Sequence, residues 1–394
     1  MRATLVLLFA AGLAVADPRP GEEGTPEHQQ AANLVKQLGD KRYATREAAA
    51  KKLIEMGPAA VPALTAGTKS EDEEVRNRSI ALLPQARAAE WKRRAAAYLA
   101  DTEGKQKHDL PLLDQWEKLV GKPDAGTRKL FAEMVKTNGE LLQKATDRKV
   151  AASACTERCK IIVAQTRGPK GQIKAEIGDL AAIVFVDGLV PPKNADWSQV
   201  APAKLLANPT LSENIGETDM GPALRKVLAK WFSVRPAHDN MAQQQFSLLA
   251  QKKPFPEAGP VLARLAKDKN ADIFSVRMLA VQALGKVGGK EAEAALAELV
   301  PDKTPLFGGG QNEHVLGDTA LAASLALHGK KLTDFGLRSN GSIGFSTGDD
   351  NDIISINLYG FNTTDGREKA IKKWQEEVIE KKEPKKDEKK DEKK

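Results

Sequence analysis

Gly344-Phe345-Ser346-Thr347-Gly348 has the G-x-S-x-G spacing of a nucleophile elbow, in which a serine sits on a sharp turn between a strand and a helix. That chemistry also needs a histidine base further along the chain. Here Asp349-Asp350-Asn351-Asp352 and a strand-like run follow, and the last histidine is His328, so the order of a serine hydrolase is not met and a glycine-rich turn is expected. The four acidic or amide side chains from Asp349 to Asp352 offer oxygen ligands, but the glycine and the twelfth-position glutamate of a calcium loop are missing, and a solvated turn is expected. His28, His108, His238, His314 and His328 contain no H-E-x-x-H or other close ligand pair, so the spacing names no zinc scaffold. Cys155 and Cys159 lie one helical turn apart. A disulfide's torsion tolerates that geometry poorly, and buried thiols and a strained bridge both stay open. C-x-x-C-H, the signature of haem attachment, is absent. The sequence therefore assigns no catalytic residue, no metal ligand and no cofactor.

The elements that would position any site are better written. Tyr43 to Gly57 places Ala49, Leu53 and Met56 on one helical face and then stops at Gly57-Pro58, a helix end followed by a helix start. A shift of thirty residues lays Arg76, Ser79 and Leu83 over Arg46, Ala49 and Leu53. An arginine, a small residue and a leucine recurring at fixed offsets mark stacked helical hairpins. The arginines are expected to pair with acids of the neighbouring hairpin, with ligand binding as their second role.

Asp72-Glu73-Glu74-Val75-Arg76, followed by Leu82-Leu83, resembles the second helix of a HEAT-repeat hairpin. Ile273 to Gly285 resembles a further copy, with Arg277, Ala280 and Leu284 at the same offsets. Leu316 to Ala323 is a fainter one, in which Gly317 takes the arginine's place. The whole arrangement is similar to exported bacterial HEAT-like proteins of unassigned activity. What the resemblance implies is an all-α fold, an α-α superhelix used for binding, and it supplies no catalytic residue.

Met1 to Ala16 has a basic start, an apolar centre and a small-residue site at Ala14-Val15-Ala16, and reads as a signal peptide cut before Asp17. No cysteine follows that run to carry a lipid, and nothing later is long and apolar enough to span a bilayer. An exported protein of the periplasm, the cell envelope or the medium is expected. The net charge of +7 is spread over mixed acidic and basic residues, without a basic stripe interleaved with aromatics, which argues against nucleic acid as partner. Only 5% of residues are aromatic, which suits thin helical layers sharing small-residue contacts.

Along the chain the expected plan is a flexible lead-in at 17–29, HEAT-like repeats at 30–103, degenerate hairpins at 104–250, further repeats at 251–330, a small β segment at 331–366, a terminal helix at 367–380 and a disordered charged tail at 381–394. Helices are expected from Gln30, over Leu110–Val120 and Thr127–Thr137, in one long run over Glu140–Gln165, and over Glu176–Val186, where helix is preferred to buried strand. Further helices are expected over Thr218–Phe232, Asn240–Gln251, Ala258–Lys267, Thr319–Leu327 and Gly366–Trp374, with a loop over Pro301–Gln311 and a hairpin around Ile353–Tyr359. Trp91, Trp116, Trp197, Trp231 and Trp374 are expected to fill gaps between helices. The function expected is a non-enzymatic scaffold holding a protein partner. An enzyme whose site gathers distant residues, or a binder of an anionic envelope polymer, are the alternatives.

Overall fold

The computed structural model describes residues 25–121, 123–166, 175–189, 205–206, 208–234, 240–307, 314–339, 359–361 and 363–380. The Met1–Ala16 run read as a signal peptide, the Gly344–Gly348 motif, Asp349–Asp352, His238, Trp197, most of the Ile353–Tyr359 run and residues 381–394 lie outside the described residues. The chain divides into two compact units, Met1–Leu110 and Pro111–Lys394.

The first unit is built from two helical hairpins. Helix α1 spans Pro26–Gln37 and begins before the expected Gln30, because Thr25 caps it, accepting from the His28 N–H, and Pro26 stands where no backbone donor is needed. Helix α2 spans Tyr43–Met56 and ends at Gly57, whose φ of +53 suits a residue without Cβ. A 3-10 turn at Gly57–Ala60 leads into α3, Val61–Gly67, which packs on α1. Helix α4 runs over Glu73–Ala100 and packs on α2 and α3. Its N-cap Asp72 accepts from the backbone N–H groups of Glu74 and Val75. First helix thus lies on first helix and second on second, with Ala31, Leu34, Leu38, Ala49, Leu53, Ala60, Leu64 and Val75 closing the core between them. Helix α4 passes through Pro84 on an exposed face without ending there, held on its other side by buried Ala86, Ala95 and Tyr98.

The second unit starts with α5, Leu113–Val120. It begins later than the Leu110 start expected, because Leu112 is in the left-handed region at φ 65, which no helix can continue through. Helix α6, Ala125–Lys144, carries an Asp124/Thr127 capping box and a non-helical Asn138. The separation expected between Thr137 and Glu140 survives as that break inside one element. The long helix expected over 140–165 is instead divided by a turn at 145–147, after which α7 runs over Arg148–Thr166. Helix α8, Ile177–Leu189, is buried along its length and packs on α6 and α7, which is why its sequence shows no amphipathic period. Gly178 is where it meets α6, for a Cβ there would fall 2.3 Å from the Glu133 carbonyl oxygen. The helix preferred over a strand at this position is what forms.

After α9, Pro209–Asn214, stacking becomes regular. Helices α10 (Gly221–Ser233), α12 (Gly259–Lys267) and α14 (Gly289–Leu299) form one row. Helices α11 (Asn240–Lys252), α13 (Leu279–Val287, entered through a π turn at Ile273–Met278) and α15 (Leu316–Leu327) form the other. The loop expected over 301–311 contains strand β1, Pro305–Phe307, paired antiparallel with β2, His314–Val315. Sequence alternation could not show so short a pair, because its partner comes from across the intervening residues. Strands β3 (Arg338–Ser339) and β4 (Tyr359–Gly360) pair antiparallel, and β4 packs on α15. Helix α16, Thr364–Trp374, then runs into a π turn at Gln375–Ile379. Trp374 is buried, and its indole N–H donates to the Ser324 hydroxyl at 3.0 Å.

Candidate functional site: the groove between the second helices of the N-terminal unit

The repeat positions place their side chains by a common geometry. Arg46 donates through Nη1 to the Asp40 carbonyl at 2.9 Å and the Lys41 carbonyl at 3.3 Å. Arg76 donates through Nη1 to Ser70 at 2.8 Å and Glu71 at 3.4 Å, the same positions thirty residues on. Even the turn is repeated, since the side chains of Asp40 and Ser70 accept from the backbone N–H groups of Arg42 and Asp72. The Arg42 N–H, with the nearby guanidinium groups, holds the Asp40 carboxyl below its ordinary value. In each repeat the arginine therefore ties the interhelix turn to the second helix.

The expectation that all three arginines pair with acids needs correction. Arg46 lies 3.2 Å from Glu74 of the next hairpin, and Arg277 lies 2.6 Å from Asp302. Arg76 meets backbone oxygens and no carboxylate among the described residues. Arg277 also departs from the first two copies. It reaches back to the Ala266 carbonyl at the end of α12 and is 3% exposed. Ala49, Ser79 and Ala280 are buried at the small-residue position, because a longer side chain would push the neighbouring helix away. Leu53 and Leu284 are fully buried, whereas Leu83 is only half-buried and Leu82 enters the core. Gly317 cannot be an arginine, since a Cβ would meet the Val300 carbonyl oxygen at 2.3 Å. Arg367 of α16 reaches Asp318 next to it instead, donating to both carboxylate oxygens at 2.7 and 2.8 Å.

Between α2 and α4 this arrangement leaves a groove of about 520 Å³. Ala50, Ile54, Ala81 and Leu82 give it apolar surface, and Lys51, Glu55, Glu47 and Arg78 give it charge. Ile54 is 38% exposed although its helix is well packed. Arg78 bridges the two helices, donating to Glu47 at 2.8 Å and to Glu74 at 2.6 Å, and these bonds raise its pKa. Both acids are about half exposed, so each such pair adds only about 0–1 kcal/mol and its clearer effect is to fix the groove's width. Ile80 and Tyr43 are further exposed apolar side chains of the same two helices. Sequence reasoning missed Ile54 and Ile80. Their signal is an isoleucine on the face that the helical period assigns to polar residues.

The remaining candidates among the described residues each sit in packing or hydrogen bonding of their own. His108 pairs with Asp101 at 2.8 Å and packs edge-on against Tyr98, closing the loop after α4. His328 caps α15 through the Ser324 carbonyl at 2.7 Å, and His314 is buried beneath Gly360. Cys155 and Cys159 are buried on α7 without a disulfide, and the Cys155 thiol points to the Ile183 carbonyl of α8 at 3.9 Å. Among the described residues, no group of three or more His, Cys, Asp or Glu side chains is arranged to hold a metal, and no helix is long and apolar enough to cross a membrane. Trp116 and Trp231 fill the interior of the second unit, Trp231 donating to Asp187 at 2.5 Å, whereas Trp91 is half-buried. Neither a protein-family model nor a curated protein matches this chain.

Proposed function

We propose that this protein is a non-enzymatic binding scaffold of HEAT-like helical hairpins, exported to the periplasm, the cell envelope or the medium, that holds a protein partner through its second-helix face. The observation that carries the reading is the α2–α4 groove, in which apolar Ile54 and Ala81 are left exposed beside buried Leu82, between two tightly stacked hairpins. Its occupant is an amphipathic segment of the partner. The apolar side chains of that segment cover Ile54 and Ala81, and its charged flanks answer Lys51 and Glu55, which carry opposite signs one helical turn apart. A stacked core makes the groove rigid, so little ordering cost is added on binding. Export rests on the basic, apolar and small-residue order of Met1–Ala16.

The test is crosslinking of the full chain in its native envelope, with Ile54→Asp against the exposed control Lys52→Glu. A defined partner that is lost with I54D and kept with K52E, while both variants melt like the wild type, is the expected result. Identical capture by both variants removes the groove from the proposal. An N-terminal residue other than Asp17 on the mature protein removes the expected cleavage site.

A further inference from the structure

In the C-terminal unit a second crevice, of about 450 Å³, opens where the loops after α12 and α14 lie side by side. Six charged side chains line it: Lys267, Lys269, Arg277, Glu298, Asp302 and Lys303. Four of them cancel in pairs. Arg277 donates to Asp302 Oδ2 at 2.6 Å, and the other oxygen of Asp302 accepts from the Thr304 N–H at 2.8 Å and the Thr304 hydroxyl at 2.5 Å. Lys267 lies 2.5 Å from Glu298. The nearby Asp268 carboxylate is turned to its own loop, accepting from the Asn270 N–H at 3.0 Å. Lys269 and Lys303 remain, one on each loop, exposed and without a carboxylate partner among the described residues.

With the other four charges paired, Lys269 and Lys303 leave the crevice with an excess of two positive charges, which suits a compact anion better than a further side chain. We infer that this crevice binds a phosphate group, free or as a phosphomonoester, with Lys269 and Lys303 as its two jaws. A phosphate presents several oxygens and more than one negative charge to two flexible point-charge donors, which a single carboxylate does not. The buried Arg277–Asp302 pair contributes by fixing the two loops at their spacing, and does not itself touch the ligand. Whether the α2–α4 groove binds a protein has no bearing on this site.

The experiment titrates the full chain with inorganic phosphate at low ionic strength, followed by 31P line broadening, with glycerol phosphate and acetate as parallel arms. Saturable phosphate binding that outcompetes acetate is expected. K269A/K303A weakens it roughly ten-fold or more, K269R/K303R keeps most of it, and K286A/K290A, which removes the same charge elsewhere in the unit, changes it little. Binding of glycerol phosphate as well as phosphate identifies an ester-accepting site, and binding of phosphate alone a free-anion site; either supports the inference. No saturable binding by the wild type, acetate matching phosphate, or equal loss in K286A/K290A overturns it. Thermal melts of both alanine variants must match the wild type, and if K269A/K303A unfolds, retention by K269R/K303R together with loss in K269Q/K303Q carries the same decision.

Discussion

Arg46 and Arg76, thirty positions apart, donate from the same guanidinium nitrogen to the carbonyls six and five residues before them. The repeat is thus a repeated hydrogen-bonding device as well as a repeated hydrophobic pattern. Arg76→Ala removes both bonds from a half-buried site and is expected to destabilise the N-terminal unit by about 1–2 kcal/mol. Because both bonds leave a single nitrogen, an ammonium with three donors can replace them in part, and Arg76→Lys is expected to recover part of the loss. Urea melts of the full chain, read by a probe in the first unit, check the ranking wild type, then Lys, then Ala.

Gly67 and Ser79 mark a close approach of α3 and α4. A Cβ on Gly67 would fall 2.3 Å from Ser79 Oγ and 2.8 Å from Val35 Cγ1. Gly67→Ala, which in an open helix would add about 1 kcal/mol of stability, is expected to cost about 1–3 kcal/mol here. Ser79 Oγ is buried without a hydrogen-bond partner, so Ser79→Ala is expected to be neutral or stabilising. It should also reduce part of the G67A penalty, the Val35 clash remaining. A double-mutant cycle by thermal denaturation measures that coupling.

Asp302 gives the C-terminal unit an acid-sensitive point. Burial raises its pKa, but the Thr304 hydroxyl and N–H and the Arg277 guanidinium outweigh burial and hold the carboxyl below its ordinary 3.8. A depressed folded-state pKa contributes stability that is complete above the unfolded value and is lost as pH falls from about 3.8 through the lower folded value. Asp302→Asn leaves Arg277 buried without its counter-charge and is expected to cost roughly 3 kcal/mol at neutral pH. The variant should lose less stability than the wild type on acidification below that point. Melting temperatures of both proteins across the acid range decide it.

Cys155 and Cys159 form no disulfide and are almost completely buried. Without reductant, a thiol reagent is expected to modify neither in the native chain within minutes and both after denaturation. Two reactive thiols fewer than expected in denaturant would mean a bridge.

The sequence alone determined that the chain is mostly helical, that a helix ends at Gly57, and that Arg46/Ala49/Leu53 and Arg76/Ser79 occupy equivalent places. Those features are local, being set by helical periodicity, caps and stop residues within a few turns of chain. It also suggested the small residue at the third offset, because close helix packing leaves room for nothing else. Tertiary structure decided what depends on distant residues. Leu82 rather than Leu83 enters the core, since the rotation of α4 is fixed by what α2 and α3 present to it. Gly317 is required by the Val300 carbonyl, β1 exists only because β2 returns to it, and Lys269 and Lys303 share one crevice because two loops separated by a whole hairpin lie side by side. Spacing along a chain fixes which face a residue occupies, but only packing fixes what that face meets.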